Sequence, residues 1–272
     1  MAQSATNWSM VEEVVAEASE SGTVGVSLIG PDGARWSHHG DRKFGAASTV
    51  KIPIMVEIFR QIDAGKRSLD DRHVTSEADL TPGSGVLFNM HQGLELTLND
   101  LLYLMISISD NMATNILIRM AGMDAVNRTM RDIGMKNSML GREMKGRPAN
   151  ADEQENLATP NDYVEAIRTI LDGEAASRAS CDAMIGMLEK QQNHGRIARY
   201  LPQHSAIRWG SKTGSIQGVT NDAGFILAPN GRLIIAVYCE NCPDQHVGEQ
   251  VIGEVSRAAM AATGVVGPLY TS

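Results

Sequence analysis

Strand-forming sequence in this chain falls near its two ends, and that segregation limits the folds open to it. The run Thr23-Val24-Gly25-Val26-Ser27-Leu28-Ile29 reads as a strand, closed by the turn Gly30-Pro31-Asp32-Gly33, with residues 34–38 returning as its hairpin partner. Strand signals come back only at residues 207–213, 223–227 and 233–239, the last two joined by Ala228-Pro229-Asn230-Gly231. Between these ends, from about residue 48 to 190, the apolar spacing is mostly helical, with a break near 107–110 inside the helical stretch 99–120. Amphipathic helices are also expected at 8–20 and 247–262. Residues 142–157 are polar and aperiodic, and a loop of that length inside a compact domain is usually functional or disordered.

The expected fold class is therefore α/β, more narrowly α+β: an antiparallel sheet flanked by helices and built from both chain ends, plus an inserted all-helical lobe. One two-lobed domain would span residues 1–272, with a sheet lobe at about 8–45 and 195–265 and a helical lobe at 46–194. A cleft between the lobes is the default place for a small ligand.

Composition removes several classes of partner. The net charge is -8 and no basic stripe occurs, so nucleic-acid binding is not expected. No apolar run approaches the ~18 residues of a membrane span. The start, Met1-Ala2-Gln3-Ser4-Ala5-Thr6-Asn7, lacks the apolar core of a signal peptide, which leaves a cytosolic protein or a mature form without its leader. Three cysteines, Cys181, Cys239 and Cys242, do not make a disulfide framework. Cys239-Glu240-Asn241-Cys242 has redox-motif spacing but ends a strand rather than opening a helix, so an incidental role is expected. The seven histidines offer no i, i+4 pair beside an acid, and neither a metal nor an organic cofactor is expected. Met105, Met112, Met120, Met123 and Met130 read as core packing.

Chemistry enters at Ser48-Thr49-Val50-Lys51. Residues three apart share a helix face, so a serine nucleophile and a lysine base can point into one cleft, and the apolar run that follows would hold them rigidly. A free serine hydroxyl is a poor nucleophile and needs a base. Three further features follow in order. Ser109-Asp110-Asn111 lies at the helical break, Glu143 opens the long polar loop, and Lys212-Thr213-Gly214 lies on a late strand.

Taken together, these motifs resemble those of class A serine β-lactamases, of the penicillin-recognising serine acyl enzymes, over about residues 7–263. The resemblance implies hydrolysis of β-lactams through an acyl-enzyme on Ser48, with Lys51 and Glu143 as bases. It makes Ser109 the proton relay to the departing nitrogen, Asn111 the group that orients Lys51 and holds a substrate amide, and Lys212 a second cation. The oxyanion would take the backbone N–H groups of Ser48 and Ser215. Thr213, Gly214, Ser215 and Lys212 would contribute to the site of the substrate carboxylate. Arg196, six residues before the proline of the Leu201-Pro202 pair, is either the arginine some members add there or an ordinary surface residue.

One departure bears on turnover: four residues after Glu143, where the class usually has an asparagine that holds the hydrolytic water, stands Arg147. The alternatives are a related D-Ala-D-Ala carboxypeptidase or esterase, and a penicillin-binding sensor that releases its acyl group slowly. Arg142 and Glu155-Asn156 before Thr159-Pro160 look like uncharacterised relatives of the first kind. A monomer, periplasmic or secreted in its mature form, is the expected state.

Overall fold

The structure, a computed structural model, describes residues 6–267; residues 1–5, part of the start inspected for a leader, lie outside the described residues. Helix α1 (Ser9–Ala18) leads into strands β1 (Thr23–Ile29) and β2 (Arg35–His38), then the short β3 (Phe44–Gly45). A 3-10 turn, Ala47–Val50, runs directly into α2 (Lys51–Asp63). Strands β4 (Arg72–Val74) and β5 (Glu95–Thr97) precede α3 (Leu98–Ser107), α4 (Asn111–Ala121) and α5 (Met123–Asp132). After the long loop come β6 (Leu157–Ala158), α6 (Pro160–Asp172) and α7 (Arg178–Leu188), then β7 (Arg208–Ile216), β8 (Val219–Ala228), β9 (Gly231–Glu240) and α8 (Gln245–Thr263).

Five strands form one antiparallel sheet in the order β2-β1-β9-β8-β7, so the first and last thirds of the chain meet at the β1–β9 pair, from Thr23↔Glu240 to Ile29↔Ile234. Alternate residues of a strand face opposite sides. In β9, Ile234, Ala236 and Tyr238 join a core with α2, α4 and α6, while Leu233, Ile235, Val237 and Cys239 pack under α1 and α8. The sheet thus separates two apolar layers. Gly25 is needed where β1 lies against Phe44, because a Cβ there would lie 2.4 Å from the Phe44 ring.

The sequence pattern predicts an all-helical middle, but that part of the chain also contains short strands. β3 pairs with β6 through Phe44↔Ala158 and Gly45↔Leu157, and β4 pairs with β5. Strands of two or three residues carry no periodicity of their own, so their long-range partners create them. Met105, Met112 and Met130 are buried in the core, with Met120 and Met123 packed against it. Among the described residues no helix is long and apolar enough to cross a membrane.

Candidate active site

Ser48 lies in the 3-10 turn, one residue after Ala47, whose φ of 46° is left-handed. Such a conformation costs a non-glycine residue roughly 1–2 kcal/mol, and the packing around the turn holds it in place. Ala46 N–H donates to Asn156 O at 2.7 Å, Asn221 Nδ2 to Gly45 O at 2.8 Å, and Tyr238 Oη to Thr49 Oγ1 at 3.1 Å. Pro53 is the third residue of α2, inside the first turn, where its missing N–H costs no helical bond.

Lys51 is the first residue of α2 and is fully buried. Its Nζ donates to Ser109 O (2.7 Å), Ser109 Oγ (2.9 Å) and Asn111 Oδ1 (2.9 Å). Burial, and after it the charge of Lys212, holds Lys51 well below a lysine's ordinary range, with Asp110 opposing. A lysine in that state can accept the serine proton.

Ser109 and Asn111 reach Lys51 because the chain breaks between α3 and α4. Ser109 has φ 61°, and Asp110 caps α4 by accepting from Ala113 N–H at 2.9 Å. The other carboxylate oxygen of Asp110 accepts from Val86 N–H (2.7 Å) and Leu87 N–H (2.9 Å), which fastens the Pro82-Gly83-Ser84-Gly85 loop over the break. A Cβ on Gly85 would lie 2.2 Å from that carboxylate, and one on Gly83 would lie 2.4 Å from Asn111 Nδ2. Asn111 Nδ2 itself donates to Pro82 O at 3.1 Å, and Ser84 Oγ donates to Ser109 O at 2.6 Å. The glycines in this loop were visible in the sequence, but the role of Ser84 was not.

The opposite side of the cleft is the edge strand β7. A Cβ on Gly214 would sit 3.0 Å from Ala46 O and 3.1 Å from Ser48 N, so glycine lets the strand lie against the nucleophile turn. Lys212 is fully buried, donates to Thr213 O at 2.9 Å, and is lowered to about 7, first by burial, with Asp222 opposing and Arg196 adding to the shift. Thr213 is also buried, whereas Ser215 is exposed at the cleft.

Arg196 is 1% exposed, which overturns the surface alternative. Its guanidinium donates to Gly214 O (3.0 Å), Asn221 O (2.7 Å), Ser215 Oγ (2.5 Å) and Glu249 Oε1 (3.1 Å). It stands behind β7 and acts on the cleft through Ser215, a support that Glu249 neutralises from a helix 53 residues away.

The loop is where the sequence expectation fails. Glu143 does not face Ser48. Its carboxylate is paired with Arg119, 3.3 Å from Oε2, and Arg119 also holds Asp79 at 2.6 Å. The cause is Asn115, one helical turn after Asn111. Its Oδ1 accepts from Met144 N–H (2.8 Å) and its Nδ2 donates to Met144 O (2.9 Å), fixing the backbone so that Met144 faces the cleft and Glu143 turns away. The i, i+4 spacing from Asn111 to Asn115 was the available signal.

The carboxylate that lines the cleft with Ser48 is Glu155. It takes Arg142 Nη2 on both oxygens at 3.0 Å, plus Ala149 N–H (2.7 Å) and Asn156 N–H (2.9 Å). Asn156 Oδ1 accepts from Gly141 and Arg142 N–H at 2.8 and 3.0 Å, closing the neck of the loop. Arg147 also borders the cleft, but its guanidinium is held by Glu153 at 2.7 and 3.0 Å.

A buried serine, a lysine depressed by burial, a hydroxyl that accepts from that lysine and an edge strand beside the serine are the parts that serine acyl transfer needs. The chain belongs to the β-lactamase enzyme family, whose model matches residues 8–263. A β-lactamase of Rhodobacter capsulatus is 31% identical over 227 residues, covering 81% of this chain and 71% of the relative. The crystal structure of a β-lactamase from Sphaerobacter thermophilus superposes with a TM-score of 0.94 at 56% identity, covering 96% of this chain and 100% of that one. The structure of PBP-A superposes with a TM-score of 0.85 at 26% identity, covering 94% and 96%. A point mutant of PBP-A with glutamate in place of leucine has been solved as an acyl-enzyme complex with penicillin G. The antiparallel sheet flanked by helices is the fold of these neighbours.

Proposed function

We propose that the protein hydrolyses β-lactams through a covalent acyl-enzyme on Ser48. The observation that carries this reading is Lys51: fully buried, depressed in pKa, and held by Ser109 and Asn111 one turn from the nucleophile. Lys51 takes the proton of Ser48 as its oxygen attacks the lactam carbonyl. The oxyanion is met by the backbone N–H groups of Ser48 and Ser215. Ser109 passes the proton to the departing nitrogen, which opens the ring. Lys212, with the hydroxyls of Thr213 and Ser215, receives the substrate carboxylate, and Arg196 orients Ser215 for it. Asn111 holds Lys51, and only the free hydrogen of its amide remains for substrate.

Water completes the cycle by cleaving the acyl ester. Glu143, turned to Arg119, is not the base in this arrangement, so deacylation limits turnover. That same observation favours a second reading, a penicillin-binding relative that keeps its acyl group for long periods or acts on D-Ala-D-Ala peptides. The likeness to PBP-A supports it. The working unit is one two-lobed domain acting as a monomer, and a periplasmic or secreted location fits a β-lactam substrate.

Steady-state assays with a penicillin, a cephalosporin and a D-Ala-D-Ala peptide test the proposal. Multiple turnovers of either drug, lost in Ser48→Ala, are expected. Peptide cleavage with stoichiometric drug labelling would transfer the assignment to the second reading.

A further inference from the structure

Cys239 and Cys242 were expected to be incidental because the pair ends a strand without opening a helix. The structure changes that premise. β9 ends at Glu240 and α8 begins at Gln245 with Asp244 as its N-cap, so Cys242 stands two residues ahead of a helix cap. Both cysteines are free thiols, three residues apart in the chain. Both border one surface cavity, which also takes in Ile216, Gly218 and Thr220.

The two sulfurs differ in the way a thiol-exchange pair requires. Cys239 is 1% exposed and packs in the apolar layer under α8, whereas Cys242 is only partly buried and lies over Gly22, where a Cβ would come 2.8 Å from its sulfur. The hydrogen bond from Cys239 lowers the Cys242 thiol to about 7, with burial and Asp244 opposing. The same contact, and then burial, raises Cys239. The connecting Asn241 has φ 59° and donates its N–H to Gly218 O at 3.0 Å, which fixes the bend between the two cysteines.

We propose that Cys239 and Cys242 form a thiol–disulfide exchange site, independent of the Ser48 cleft, that takes low-molecular-weight disulfides. The thiolate of Cys242 attacks one sulfur of the small disulfide, forming a mixed disulfide and releasing one thiolate. Cys239 then loses its proton and attacks the Cys242 sulfur, releasing the second thiolate and closing the Cys239–Cys242 bond. The protein loses two protons and two electrons, and the small disulfide takes them up to become two thiols. Cys242 is the entry point because it is the more exposed and the more readily ionised of the two.

The site is close to the catalytic strand without being part of it. Ile216 borders both this cavity and the Ser48 cleft, and Glu240, between the cysteines, accepts from Gly45 N–H at 3.0 Å.

The test is intact-mass and peptide mapping of the folded, full-length chain after exposure to glutathione disulfide, then to dithiothreitol. Wild type is expected to lose two hydrogens, carry no glutathione, map the linkage to Cys239–Cys242, and recover its mass on reduction. Cys239→Ser, or Cys239→Ala where serine destabilises the core, is expected to retain one glutathione on Cys242, and Cys242→Ser is expected to stay unmodified. An unchanged wild-type mass, a stable wild-type glutathione adduct, or a linkage that involves Cys181 would overturn the proposal.

Discussion

The wall that carries Lys51 and the wall formed by residues 141–157 meet at Ser48, but different forces hold them. In the first, Lys51, Asp110, Asn111 and Lys212 are buried, and their bonds run to backbone and side chains of helices and strands. Removing a partner there strands a buried polar group, at a cost of about 1–3 kcal/mol. In the second, Arg142–Glu155, Lys145–Glu153 and Arg147–Glu153 are ion pairs made within the loop itself, the last two with exposed cations. Exposed pairs of this kind contribute about 0.2–1 kcal/mol each. In the proposed mechanism the rigid wall supplies acylation, and the softer wall decides what happens to the acyl group, so small changes in its bonds can redirect that outcome.

The largest expected effect breaks the first wall. Lys51→Met should slow formation of the acyl adduct by about 10²–10⁴-fold, the usual contribution of a positioned proton acceptor. Rapid-quench mass spectrometry reads the rate, and an unchanged rate would remove Lys51 from the mechanism. The corresponding gain in the second wall comes from Met144→Glu, which puts a carboxylate where a thioether lines the cleft. Deacylation should accelerate by at least about 10²-fold if that carboxylate holds a water. No change would mean that this wall does not reach the acyl bond.

Acidity sharpens the contrast next. Lys212 is lowered to about 7 and is charged only below that value. The kcat/KM for a substrate that carries a carboxylate, which reports the free enzyme, should therefore fall about tenfold per pH unit well above 7. Lys212→Arg should remove that alkaline limb, since arginine keeps its charge. A profile that is flat up to pH 9 in wild type would contradict the assignment. The smallest effect joins the two walls: Asn115→Ala should lower the unfolding free energy by about 1–3 kcal/mol in denaturant melts, because both backbone groups of Met144 lose their partner.

Legibility in the sequence follows the same division. Ser48, Lys51, Ser109, Asn111 and Lys212 were readable as candidates because each lies in a short motif, and the strands at both chain ends announced the sheet. The β3–β6 pair was not readable, since two residues have no pattern, and its partner lies more than a hundred residues away. Arg196 gave no sign of burial, because its carbonyl and carboxylate partners come from β7, β8 and α8. Glu143 was misassigned for a similar reason. Its number of residues from Thr159-Pro160 matched the resembled class, but the direction of its side chain is set by Asn115 on another element.

The most direct measurement is therefore the lifetime of the Ser48 adduct with a penicillin, followed by intact mass in wild type and in Glu143→Gln. The account predicts equal lifetimes, because Glu143 is held by Arg119 outside the cleft. A long-lived adduct in Glu143→Gln beside rapid release in wild type would contradict it, and would mean that the loop turns Glu143 inward when the acyl group is bound.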